Sequence, residues 1–193
     1  MGDTVGLMQA ASPSGAAPAP SLRRPTLRFM LSHPAHIIAI GFGSGLPRVA
    51  PGTFGTLWAW AAFYAMQQWL SSATIGWVIL ASLPIGWWAC TVTARHMNVA
   101  DPGAIVWDEV IAFWIVLWLV TPAGLLAQTI AFALFRFFDA AKPGPVGWAD
   151  RCMKQSGATP ETMRWSLAGF GIIFDDLVAA FCTLLVIAGW RAW

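Results

Sequence analysis

Five apolar runs, at residues 55–70, 74–92, 110–120, 125–138 and 170–190, constrain this chain more than any other feature. Each is too long and too evenly apolar for a barrel strand, so each is expected to form a helix in a lipid bilayer. The whole chain agrees, with 58% of its 193 residues hydrophobic and 10% charged, against about 25% charged in soluble domains. A straight crossing takes about 20 apolar residues, so the third and fourth runs either cross in part or continue through polar residues shielded by protein. The expected fold is all-α: a polytopic membrane bundle of about five helices, some short or re-entrant.

The breaks between the runs are unequal. Those at 71–74 and 121–124 are short and uncharged, whereas 95–109 and 139–169 carry most of the ionisable residues. Residues 1–28, rich in Ala, Pro and Ser and ending in Arg23, Arg24 and Arg28, lack the apolar core of a signal peptide and read as a disordered tail. Residues 29–193 then form one membrane-embedded domain. With the basic tail in the cytoplasm, five crossings bring both charged segments to the same side, and every Lys and Arg except Arg191 lies there, as the positive-inside rule requires. The formal charge of +2 is too small to argue for nucleic acid. The cysteines, Cys90, Cys152 and Cys182, form no CxxC pair and no disulfide framework.

Where acids meet apolar sequence, a site is the default expectation. "VWDEVIAFW" places Asp108 and Glu109 at the start of the third run. "FRFFDAAKPGP" places Arg136, Asp139 and Lys142 at the end of the fourth, and "GFGIIFDDLVAA" places Asp175 and Asp176 inside the fifth. Five carboxylates at one membrane face suit a hard cation such as Mg2+, which takes oxygen ligands and keeps waters. Adjacent helical residues point about 100° apart, so within each pair one carboxylate is expected on the metal and its neighbour on a water, a second ion or a cationic side chain. Plainer readings stand beside these. Asp108 and Glu109 also fit acids placed at a helix N-terminus by the macrodipole, and Arg136, Asp139 and Lys142 fit an interfacial ion-pair ladder.

"GFGSGLPRVAPGTFGTL" at 41–57 packs glycines and hydroxyls before the first run. Its backbone N–H groups could cradle an anion, which makes Gly43, Ser44, Gly45, Gly52, Thr53, Gly55 and Thr56 phosphate-binding candidates, with Arg48 and Arg136 adding charge. The alternative is a structural turn with Pro51 opening a helix. No Walker A lysine follows, and "CTVTAR" has the wrong gap for a phosphate-binding cysteine loop. His33, His36 and His96 are expected to make ordinary hydrogen bonds.

These four ordered segments, "GFGSGLPRVAPGTFGTL", "VWDEVIAFW", "FRFFDAAKPGPVGWADR" and "GFGIIFDDLVAA", resemble the signature segments of the bacterial phosphatidylglycerophosphatase A family. The resemblance spans about residues 29–190. It implies a magnesium-dependent, multi-pass phosphatase of the bacterial inner membrane, with its site on the cytoplasmic face, that removes the terminal phosphate of phosphatidylglycerophosphate to leave phosphatidylglycerol. It implies catalytic roles for Asp108, Glu109, Asp139, Lys142, Asp175 and Asp176, the five acids among them holding metal. It also carries over Gly43, Ser44, Gly45, Pro51, Gly52, Thr53 and Gly55 as the turn region. Ala112 and Ala180 stand where the family has glycine, and Gly144 where an aromatic is common. Substrate and membrane lipids are the expected partners. Direct attack by water and an aspartyl-phosphate intermediate both fit the residues. A small cation transporter and a noncatalytic lipid-binding protein are the alternatives from other classes.

Overall fold

The computed structural model describes residues 24–153 and 162–193. Arg23 and most of the expected tail lie outside them. Among the described residues eight α-helices follow in order: α1 (Leu27–Leu31), α2 (Pro34–Ala39), α3 (Pro51–Trp69), α4 (Ser72–Met97), α5 (Trp107–Val120), α6 (Leu125–Ala141), α7 (Pro145–Met153) and α8 (Trp165–Ala192). A 3-10 turn at Gly41–Gly43 precedes α3, and there is no strand among the described residues. Helix α1 begins at Leu27, capped by the Thr26 hydroxyl, so it crosses the expected boundary at residue 28.

The five apolar runs are α3, α4, α5, α6 and α8. Two of them, α4 and α8, are long and apolar enough on their own to cross a membrane. The 14 residues of α5 reach only about 21 Å at 1.5 Å per residue, short of a hydrocarbon core about 30 Å thick. Its environment explains how so short a helix is accommodated. Helix α5 packs against α3, α4, α6 and α8, and Val110, Ile111, Phe113, Val116 and Leu117 are fully buried. Neighbouring helices thus cover most of α5, with Leu119 in its last turn left exposed.

Large apolar side chains also point outward, among them Trp77, Leu80 and Ile85 on α4 and Phe181, Leu185 and Val186 on α8. Outward-facing apolar surface on this scale marks contact with lipid or another protein. Exposed Trp69, Trp77 and Trp190 stand near the helix ends remote from the acids, where indole rings suit a membrane interface.

Glycine lets α4 and α8 approach closely. A Cβ on Gly169 would stand 2.8 Å from the Thr91 backbone nitrogen and 2.9 Å from its Cα. Gly169→Val is therefore expected to cost about 1–3 kcal/mol through overpacking and to lower the thermal unfolding midpoint of the detergent-purified protein. Gly189→Val, with nothing within 4 Å, should leave that midpoint unchanged.

Helix α2 is tied to α4 through imidazoles. His36 Nδ1 donates to the Phe29 carbonyl at 2.9 Å, so its Nε2 is left to accept from His96 Nδ1 at 2.8 Å. Burial lowers the pKa of His36, which favours this neutral arrangement. The His33 Nδ1 accepts from the Ala35 N–H and caps α2. All three histidines make the ordinary hydrogen bonds expected of them.

Candidate active site

The antiparallel helices bring one end of the bundle together: α3, α5 and α8 begin where α4 and α6 end. All seven described acids lie toward that end. Asp108 and Glu109 occupy the first turn of α5, Asp139 the last turn of α6, and Asp175 and Asp176 lie about three turns into α8.

These carboxylates divide into two groups. Asp108, Glu109 and Asp176 each direct an oxygen to a common point, all three oxygens lying within 4.8 Å of one another. Asp108 Oδ1, Glu109 Oε2 and Asp176 Oδ2 are buried with no hydrogen-bond partner. Unpartnered buried carboxylate oxygens are costly, and three acids whose oxygens come this close form a group able to hold a cation. A metal–oxygen distance of about 2.1 Å in an octahedron puts ligand oxygens about 3–4 Å apart. Oxygens no more than 4.8 Å apart are compatible with that spacing.

Asp139 and Asp175 have cationic partners instead. Asp139 Oδ2 accepts from Arg136 Nη1, one turn back on α6, and that guanidinium nitrogen also stands 3.8 Å from Glu109 Oε1. Asp175 Oδ2 accepts from Lys142 Nζ, which also donates to Asp150 Oδ1 at 2.7 Å. Within the adjacent pair on α8, Asp175 has the cationic partner and Asp176 has an oxygen with none. Asp108 and Glu109 differ, since both reach the common point.

Lys142 reaches its two acids because it ends α6 in the left-handed conformation, φ 44°. That backbone is uncommon for a residue with a side chain, and it turns the chain into α7, where Asp150 lies. Burial alone would lower the pKa of the ammonium. The Asp150 and Asp175 carboxylates more than reverse this and hold it well above the usual lysine range.

The glycine-rich stretch contributes differently from a phosphate cradle. The N–H groups of Gly43 and Gly45 donate to the Ile40 carbonyl and that of Ser44 to Gly41, while Thr53 and Phe54 donate to Ala50. The Ser44 hydroxyl donates to the Gly41 carbonyl and that of the fully buried Thr56 to Gly52, each at 2.8 Å. Gly55 packs against Val106. These donors hold the turn and the start of α3, so the expectation of an open nest at Gly43, Ser44, Gly45, Thr53, Gly55 and Thr56 is corrected. Gly52 is the exception. Its N–H has no backbone acceptor among the turn bonds, and a Cβ there would overlap Glu109 Oε1 and stand 3.0 Å from Arg136 Nη1. Arg48 is exposed and lines a separate pocket, described below.

Residues 37–191 match the family described as PgpA: Phosphatidylglycerophosphatase A. The chain belongs to this family. It is 37% identical over 152 residues to the phosphatidylglycerophosphatase A of Escherichia coli strain K12, a match covering 79% of this chain and 80% of that one. It is 34% identical over 183 residues to the phosphatidylglycerophosphatase A of Haemophilus influenzae, covering 88% of this chain and 96% of that one. No solved structure matches.

Every sequence-derived site candidate, from Gly43 to Asp176, falls within the span matched by the phosphatidylglycerophosphatase A family. One participant escaped the sequence reading. Asp150 sits in "GWADR" on a short helix with no long apolar run to make its charge conspicuous, and only its ion pair with Lys142 reveals it.

Proposed function

We propose that this chain is a lipid phosphatase that hydrolyses the terminal phosphomonoester of phosphatidylglycerophosphate, leaving phosphatidylglycerol and phosphate. The observation that carries the reading is the convergence of Asp108, Glu109 and Asp176, with unpartnered buried oxygens, beside the Arg136 guanidinium and the first turn of α3. Those three acids would hold magnesium, which when bound supplies Lewis acidity to the phosphate and lowers the pKa of a water.

The chain's other groups complete the reading. Arg136 is oriented by Asp139 and has a buried Nε without a partner, so it is placed to donate to phosphate oxygens. The Gly52 N–H and the positive end of α3 add donors on the same side. Lys142, fixed between Asp150 and Asp175, sets a positive charge at the rim. In hydrolysis a water oxygen bonds to phosphorus, the bond from phosphorus to the glycerol oxygen breaks, and that oxygen leaves as a hydroxyl. Helices α3, α4, α5, α6 and α8 cross the bacterial inner membrane in this reading, with the acid-bearing end cytoplasmic. The outward apolar faces of α4 and α8 and the basic residues near the acids support that placement.

Purified protein in detergent should release phosphate from phosphatidylglycerophosphate when magnesium is present and stop when EDTA removes it. Phosphatidate should be hydrolysed far more slowly. Undiminished release in EDTA would refute the metal-assisted reading, and equal rates on the two lipids would refute the substrate.

A further inference from the structure

Beside the acid cluster lies a pocket of about 330 Å³ walled by three separate pieces of chain: Arg24 and Thr26 ahead of α1, Arg48 and Pro51 at the entry to α3, and Gly103 in the loop before α5. Two arginines, Arg24 and Arg48, line this concavity. Neither Arg24 nor Arg48 is ion-paired with an acid among the described residues. Six of the seven described carboxylates are committed elsewhere, Asp139 to Arg136, Asp175 and Asp150 to Lys142, and Asp108, Glu109 and Asp176 to one another's neighbourhood, and Asp101, in the same loop as Gly103, is also engaged.

The pocket and the acid cluster share a wall. Pro51 lines the pocket, and Gly52, the next residue, abuts Glu109 and Arg136. Consecutive Cα atoms are about 3.8 Å apart, so a ligand reaching over the first turn of α3 meets both sites. The lipid headgroup assigned above has two phosphorus centres joined by one three-carbon glycerol unit. Its terminal monoester suits the acid cluster, and its inner phosphodiester carries one negative charge that the cluster leaves unmatched.

We propose that the Arg24 and Arg48 pocket binds the inner phosphodiester of the substrate, and that this second grip selects lipids in which a phosphomonoester lies one glycerol unit beyond a phosphodiester. Guanidinium is suited to the task, since its planar fork can donate two parallel hydrogen bonds to phosphate oxygens. Phosphatidate has no inner diester and gains nothing from the pocket. The product, phosphatidylglycerol, keeps its diester and so retains this grip after the terminal phosphate has gone.

The proposal rests on the acid cluster being the monoester site, and the test separates the two claims. Short-chain phosphatidylglycerol and inorganic phosphate are titrated calorimetrically, in detergent with magnesium, into the wild-type protein, Arg24→Gln, Arg48→Gln and the double variant. Both arginines are exposed, and Arg48→Lys serves as the variant that keeps charge but loses the fork. Phosphatidylglycerol affinity is expected to fall about tenfold or more in the double variant, the order for hydrogen bonds to a charged group. Arg48→Lys should lie between wild type and Arg48→Gln, and affinity for inorganic phosphate should not move. The KM for phosphatidylglycerophosphate should rise by a similar factor. Unchanged phosphatidylglycerol affinity in the double variant would overturn the proposal, as would an equal fall for both ligands. A wild-type protein that binds phosphatidylglycerol through these arginines but hydrolyses no phospholipid would sink the hydrolytic reading and leave the pocket standing.

Discussion

Asp176→Asn is expected to lower phosphate release by roughly 10³-fold or more while leaving the protein folded and inserted, because in the proposed reading it removes one of the three charges that would hold a cation supplying several kcal/mol of transition-state stabilisation. The amide matches the carboxylate in shape, so packing in α8 is preserved. Asp176 is 3% exposed and its Oδ2 has no hydrogen-bond partner. Its replacement therefore breaks no ion pair with a protein cation. Asp175→Asn is the informative contrast. That change weakens a hold on Lys142, so it should disturb the rim charge and reduce activity less than Asp176→Asn. Equal losses in the two variants would show that the division between a metal-facing and a lysine-facing aspartate is wrong.

Gly52→Ala should be nearly as damaging, with about a 10²-fold loss in turnover, the order associated with removing one oxyanion donor. A methyl group here meets Glu109 Oε1 and the Arg136 guanidinium, 3.0 and 3.1 Å from its two terminal nitrogens. Glu109 and Arg136 must then move, and with them the phosphate-facing side of the site. Gly43→Ala tests the same stretch by a different mechanism. Its φ of +104° lies in a region that residues with a side chain rarely adopt, yet its would-be Cβ meets only Leu46 and Met30, at 3.8 and 3.9 Å. That variant should lose thermal stability with little change in phosphate affinity. If Gly43→Ala weakens phosphate binding as much as Gly52→Ala does, the turn contacts phosphate after all.

This contrast shows why only part of the site was legible in the sequence. Asp175 and Asp176 stood out because ionisable groups are conspicuous in an apolar run, and the short uncharged breaks at 71–74 and 121–124 made the helix order readable. Gly43 and Gly52 look alike as letters. One serves a turn whose N–H groups are already bonded, and the other yields space to a neighbouring helix, a distinction that exists only once α3, α5 and α6 have packed. The pairing of Lys142 with Asp150 was hidden for a related reason, since it depends on the left-handed backbone at the end of α6. Helices α1, α2 and α7 are short, 5, 6 and 9 residues long, and a search for long apolar runs passes over them. The same search underestimated the lengths of all five long helices, which continue past the apolar runs at one or both ends.

The most direct test of the three-carboxylate centre is manganese uptake followed by electron paramagnetic resonance, with magnesium as competitor and no substrate present. Wild-type protein should bind manganese at a site from which magnesium displaces it, and Asp176→Asn and Glu109→Gln should each weaken that binding by at least about tenfold, as loss of a ligand exceeds the 10- to 100-fold typical of losing a group that only supports one. Manganese binding at wild-type strength in both variants would contradict the assignment of Asp108, Glu109 and Asp176 as the metal centre.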